Sequence, residues 1–461
     1  MFSQIVSALK IPPGRERITN QEALRFTYDY WRQRVIFSMI VGYAIFYFCR
    51  KNIAFSNPLI REDLDISATS LGLILTAHSV IYGFSKFFSG ILADRSNARY
   101  FMAIGLFFSA LMNIGFGFSS GVLFFAVFWI ANGIFQGSGV PPCSRMLTMW
   151  FSKRESGTYW GIWNASHQLG GAGISLLASY LVATGYGWRS TFFVPAFIAI
   201  ATAAFLVWRL RDRPTSLGLP PIKEYEQIRG YKSASDEQTS AAPSSTAEST
   251  SNGSVPASEE EELSTWQLLR QEVLNKPVIW MVCLANFFVY IVRIGFLDWG
   301  TTYLNESGLE KETWGIIVAV FEITGLLGAL LAGYLSDRRA DQRGLVAVIS
   351  MLLLTAALVV FWQLPSADPY IAGMYFGVIG LFVYGPQLLV AVVAAQAAPR
   401  AAGTAVGLTG LVGYAGASVC SVVTGVLLDY LGIDAVILFY LLSAALGAIS
   451  FLASLKMERA A

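Results

Sequence analysis

The chain has 461 residues, of which 55% are hydrophobic and only 13% charged, with a formal net charge of +2 and a mean hydropathy of +0.54. That leaves too little polar surface for a soluble globule, so the reading is a polytopic membrane protein. The net charge itself says little, because the placement of Lys and Arg is what orients such a chain.

Apolar segments of about 20 residues, the length that crosses a ~30 Å hydrocarbon core, recur along the sequence. They predict twelve helices near 33–54, 70–92, 99–119, 121–146, 157–183, 189–208, 276–304, 313–335, 343–363, 369–396, 402–428 and 433–455. The short alternating segments of a β-barrel are absent. The expected fold class is therefore an all-α membrane protein. The first 30 residues are polar and basic, without the apolar core of a cleavable signal.

The first segment contains an anomaly. Residues 45–54 read IFYFCRKNIA, and Arg50 and Lys51 interrupt an otherwise apolar run. A cation at the centre of a membrane helix costs roughly 2.5 to 3.5 kcal/mol on insertion scales, so one kept there needs a reason. Of the 32 Lys and Arg residues, 25 fall in the terminal segments and even-numbered links, three (Arg61, Arg189, Lys311) fall on the opposite side, and four lie inside spans. Both termini are thus expected in the cytoplasm. Cys49, Cys143, Cys283 and Cys420 all fall in spans and read as small core residues.

Between the sixth and seventh segments the composition changes. Residues 232–262 are Ser, Thr, Ala and acid with hardly an apolar side chain, and such a stretch cannot offset its chain entropy by burial. The expected organisation is an N-terminal cytoplasmic segment (1–32), a six-helix half (33–208), a cytoplasmic linker (209–275) disordered near 232–262, a second six-helix half (276–455) and a short tail (456–461).

The halves repeat each other. GILADRSNAR carries Gly90, Asp94 and Arg95, and GYLSDRRADQR carries Gly333, Asp337 and Arg338 at an offset of 243. Applied to the anomaly, that offset carries Tyr47 onto Tyr290 and Arg50 onto Arg293, so the buried cation has a twin. Parallel six-helix repeats of this kind are the major-facilitator design, with the site between the halves near the midplane. The Gly and Asp-Arg motifs read as structural, with Gly permitting close helix approach and Asp and Arg tying helix ends.

Arg50 and Arg293 are permanently charged and need anionic partners. Two readings follow: a fixed salt bridge to Glu322 or Asp298, or a two-armed clamp for an anion with planar oxygen geometry, above all phosphate. Lys51 points about 100° away from Arg50 around the helix and either faces another helix or snorkels. Lys86 either snorkels or stands at a cavity mouth. His167, among Gly170, Gly171 and Gly173, is a candidate for the cavity; His78 reads as either site or core. Tyr43 and Tyr47 share the face of Arg50, and Tyr290 stands likewise before Arg293, where phenols can donate to substrate oxygens or simply pack. No Walker loop, HExxH, paired CxxC or nucleophile elbow occurs, so neither an enzyme, a metal site nor a cofactor is expected.

Together FYFCRKNIAF, YGFSKFFSGILADRSNARYFM, NGIFQGSGVPPCSRML, GIWNASHQLGG, VYIVRIGFLDWG, LFVYGPQLL and GTAVGLTGLVGYAGAS resemble the organophosphate:phosphate antiporters of the major facilitator superfamily. The likeness runs over nearly all twelve segments and fails in the linker. Within the family, YWRQRVIFSMIVGYAIFYFCRK and WRLRDRPTSLGLP look most like the bacterial hexose-phosphate sensor and transporter branch. The resemblance implies exchange of a sugar phosphate, such as glucose-6-phosphate, for inorganic phosphate across the bacterial inner membrane. It implies phosphate-binding roles for Arg50 and Arg293, a cavity lysine at Lys86, a site histidine at His167 and site tyrosines at Tyr43, Tyr47, Tyr290, Tyr384 and Tyr414. The hexose-phosphate transporter's charged pair in the eleventh helix has no counterpart, since nothing between Arg400 and Asp429 is charged. The partners implied are sugar phosphate, inorganic phosphate and the lipid bilayer, with no nucleic acid. The alternative is a membrane receptor for external hexose phosphate that signals to a histidine kinase.

Overall fold

The computed structural model describes residues 10, 12–152, 155–229, 270–338, 343–398 and 401–460. Twelve helical rods of membrane length are present among them: α1 Gln21–Leu64, α2 Ala68–Arg95, α3 Ala98–Phe118, α4 Val122–Trp150, α5 Ser156–Ala183, α6 Gly187–Arg209, α7 Pro277–Glu306, α8 Lys311–Arg338, α9 Arg343–Gln363, α10 Pro369–Ala397, α11 Ala402–Tyr430 and α12 Ile433–Ala460. Ten are apolar enough to cross a membrane by composition alone; α1 and α5 are long enough, at 44 and 28 residues, but more polar. The offset of 243 registers α2 on α8 end to end and brings the other pairs within a few residues, except that α1 starts earlier than α7 and α12 runs on past α6. The predicted disordered stretch 232–262 lies outside the described residues.

Helix ends follow local chemistry. The Asn20 side chain accepts from the backbone N–H groups of Glu22 and Ala23, which starts α1 well before its apolar run. α1 ends at Asp65 in the left-handed conformation, with φ 51°. α4 is interrupted at Gly137–Gly139, where no side chain caps either piece.

The two halves do not meet equally along their length. α1 starts on the face where α12 ends, here the terminal face, and runs to the far face. On the far side Lys51 pairs with Asp298, the Thr301 hydroxyl donates to the Ala54 carbonyl and Thr76 donates to the Ser418 carbonyl. Asp429 of α11 accepts from the backbone N–H groups of Ala68 and Thr69 at 3.0 and 2.7 Å, so a carboxylate of one half caps the first turn of a helix of the other. A methyl on Gly72 would lie 2.5 Å from the Ser421 carbonyl, and one on Gly425 would lie 2.5 Å from that of Ala68. Small residues let the backbones of α2 and α11 close here, as membrane helices require when apolar burial offers no net drive.

The apolar core tells the same story. One cluster runs from the second half into Ile53, Leu71, Phe116 and Trp129 on the far side of the first. A separate cluster of Met39, Met102, Met146 and Leu206 belongs to the first half alone and lies toward the terminal face. The structure is sealed on the far side and open on the terminal side. Gly90 and Gly333, expected at close helix crossings, are not at one: a methyl on Gly90 would meet nothing within 4 Å, and one on Gly333 would rest 3.5 Å from Leu388. They sit at the end where the helices part. Arg338 is exposed over the Tyr334 ring at 4.5 Å; the side chains of Asp94, Arg95 and Asp337 lie outside the described ones.

Beyond α6 the chain folds back on the first half. A 3-10 turn, Pro214–Leu217, and a short helix, Ile222–Ile228, strap the terminal end of α1. Tyr225 stacks on Tyr28 with centroids 3.8 Å apart, Arg17 pairs with Glu224 at 2.8 Å and Arg229 with Asp29 at 3.0 Å.

Candidate functional site

Between the halves lies a cavity of about 370 Å³, reaching from Arg50 and Arg293 toward the terminal face. Tyr43, Tyr47 and Arg50 recur on one face of α1 at helical spacing, and Asn286, Tyr290 and Arg293 do the same on α7. The two arginines, one per half, therefore face a shared space.

Their surroundings explain how they are kept. The Arg50 guanidinium lies 4.1 Å from the Tyr47 ring centroid and 5.1 Å from that of Tyr82; Arg293 lies 4.7 Å from Tyr384 and 6.0 Å from Tyr290. A desolvated cation over a ring gains about 2 kcal/mol, which supports the charge in its buried place. The Nε of each is buried without a hydrogen-bond partner. Among the described residues no carboxylate comes within 4.0 Å of either guanidinium.

The two acids that could have formed a fixed salt bridge are engaged elsewhere. Asp298 accepts from Lys51 at 2.5 Å, with both side chains nearly buried, which answers where Lys51 points: across the interface to the other half. Glu322 is buried and accepts from the Tyr384 hydroxyl at 2.6 Å. Tyr384 thus offers the cavity its ring, while its proton is committed to Glu322.

Lys86 lines the cavity, with Nζ 5.7 Å from the Tyr414 ring, so the structure places it at the cavity and not at the lipid surface. His167 lies between Tyr43 and Tyr47, at 4.7 and 5.4 Å. Its Nδ1 is 2.7 Å from the Asn164 carbonyl, which can only accept, so Nδ1 carries a proton. The remaining nitrogen, Nε2, then presents a lone pair when the ring is neutral and an N–H only when it is charged. His78 is different: it is buried, donates from Nδ1 to the Trp129 carbonyl at 2.8 Å and stacks on that indole. It borders a separate chamber of about 60 Å³ on the far side of the arginines.

Sequence reasoning missed Tyr82, Trp163, Asn164, Gln168, Asn286 and Gln387, all of which line the cavity. Tyr82 stands four residues before Lys86 and could have been found from helical spacing; Asn286 is the register twin of Tyr43. The amides of α5 and α10 are polar but uncharged, and nothing in their spacing set them apart as site residues.

Two helical halves, packed together on one side and parted on the other around a charged cavity, define a multi-pass membrane transporter and not an enzyme. The sequence pattern of the Major Facilitator Superfamily matches residues 39–421, and the chain belongs to that superfamily. It is 40% identical over 388 residues to a probable hexose phosphate transport protein of Chlamydia pneumoniae, covering 84% of this chain and 82% of the relative. It is 37% identical over 402 residues to the membrane sensor protein UhpC of Salmonella typhimurium, covering 86% and 84%. Among solved structures, a bacterial homologue of the human lysosomal transporter Spinster, in an inward-facing and unoccupied conformation, matches with a TM-score of 0.71 at 16% identity, covering 93% of this chain and 98% of that one.

Proposed function

We propose that the chain exchanges a sugar phosphate, a hexose-6-phosphate such as glucose-6-phosphate, for inorganic phosphate across the bacterial inner membrane by alternating access. The observation that carries this reading is the pair of arginines, one from each half, facing one cavity with, among the described residues, no carboxylate within 4.0 Å of either. A phosphate group bound between them neutralises both halves at once and draws them together. Without an anion, closing the cavity brings two unpaired cations into a dry interface, which disfavours empty switching and enforces exchange. Lys86 and, when charged, His167 add donors on the terminal side, which the distribution of Lys and Arg makes cytoplasmic. The names of the relatives fit this substrate class.

The test is uptake of labelled glucose-6-phosphate into proteoliposomes. Uptake that requires phosphate inside is expected; none, or uptake indifferent to internal phosphate, would overturn the reading. A second reading, a receptor for external hexose phosphate that signals to a histidine kinase, is favoured by the similarity to a sensor protein. Binding without exchange in the same liposomes is its signature.

A further inference from the structure

Two buried amides line the cavity, and their carbonyl oxygens have no hydrogen-bond partner among the described residues. Asn286 is 3% exposed and Gln168 4%, both line the cavity, and Oδ1 of the first and Oε1 of the second have no hydrogen-bond partner. The orientation of Asn286 is fixed, because its Nδ2 is 2.7 Å from the Thr409 carbonyl and only the NH₂ end can donate to it. The oxygen is therefore the end left over. Asn286 precedes Arg293 by seven residues, on the same face of α7 and about 10 Å nearer the terminal face. Gln168 follows His167 on α5, in the opposite half.

A buried acceptor without a partner calls for a donor. The oxygens of a phosphate monoester dianion are acceptors only, so they belong with Arg50, Arg293 and Lys86 and are repelled by amide oxygens. A carbon-bound hydroxyl donates, and because it also accepts it satisfies either end of the Gln168 amide. α11 adds only uncharged residues to this region, among them Thr409 and Gly410. We propose that Asn286 and Gln168 form a hydroxyl subsite, one acceptor from each half, that receives the polyol end of the phosphate ester and so decides which ester is carried. This rests on the phosphate reading above and assigns the other end of the same ligand.

The test compares three ligands on the purified full-length protein: inorganic phosphate, glucose-6-phosphate and butyl phosphate, an ester without hydroxyls. The wild type should prefer glucose-6-phosphate to butyl phosphate by about tenfold or more, the scale of one or two hydrogen bonds. Gln168→Met, close in shape and without an amide, and Asn286→Leu should each reduce that preference about tenfold. Equal affinity of the wild type for the two esters, or variants that weaken all three ligands alike, would overturn the subsite. Should Asn286→Leu fail to fold for want of a donor to Thr409, Gln168→Met and the wild-type series still decide. A wild type that binds none of the three removes the phosphate reading itself, and shows this before any variant is made.

Discussion

At the offset of 243 residues Arg50 meets Arg293 and Tyr47 meets Tyr290, but Lys51 meets Ile294, Lys86 meets Ala329 and His167 meets Gly410. In the other direction Asp298 meets Phe55 and Glu322 meets Ser79. The first half thus concentrates cations around the interface and the second supplies the acids, on backbones that repeat. Even the cradles differ: Tyr82 meets Gly325, and the second half fills that place with Tyr384 from α10, whose ring would lie 2.3 Å from a methyl on Gly325. On the proposed function, what both halves retain works on a ligand held between them. What only one half carries works against the other half.

The largest effect should come from breaking the asymmetric pair. Asp298→Asn leaves Lys51 buried and unpaired, which should cost about 3 to 5 kcal/mol of stability in this far-side-closed form. Adding Lys51→Met should recover much of the loss, as thermal unfolding of the purified proteins would show. A double variant no better than the single would mean that the two residues are not coupled.

The symmetric pair is tested by Arg50→Lys and Arg293→Lys, which keep the charge and lose the planar fork. Each should weaken phosphate and glucose-6-phosphate binding about a hundredfold, the scale of one or two charge-assisted hydrogen bonds. Similar losses in both halves sharpen the two-armed picture; a wild-type affinity in either reduces it to one arm. Combining neutral substitutions at the arginines with Glu322→Gln should give no rescue, since that acid is held by Tyr384.

His167, present in one half only, sets a smaller and pH-dependent effect. With Nδ1 donating to Asn164, Nε2 can donate to a phosphate oxygen only as imidazolium. Affinity should therefore fall as pH rises through the titration of the ring, once the substrate's own second ionisation near pH ~6 is allowed for. His167→Gln should flatten the profile; an unchanged profile would assign it to the ligand. Smallest of all, deleting residues 235–254 should leave exchange rates within about twofold, as expected of a low-hydrophobicity tether.

Much of this arrangement could be read from the chain because hydropathy and an internal repeat are strong signals. Arg50 stood out against its apolar neighbours, and the offset found Arg293 without reference to it. The pairing of Lys51 with Asp298 was not legible, since it spans 247 positions and depends on how the halves tilt. Nor was the role of Glu322, because a carboxylate taken by a tyrosine hydroxyl looks in sequence like one free for an arginine. Gly90 misled for a related reason: small residues mark close packing in some state of a moving protein, and the terminal ends are apart in this one. Asn286 and Gln168 did not stand out because an amide carries no charge and polar residues of several kinds recur in the spans.

The strap beneath α1 bears on the connection between the halves in polymer terms. Because Ile222–Ile228 is stacked and ion-paired onto the first half, the chain is still held to that half at Arg229, well past the end of α6. Forty residues separate that anchor from Arg270, a contour of about 140 Å at ~3.5 Å per residue. With twenty removed the contour is still about 70 Å, more than twice the ~30 Å thickness of the hydrocarbon core. A chain of that contour sets no limit on a rocking of the halves, even with twenty residues removed.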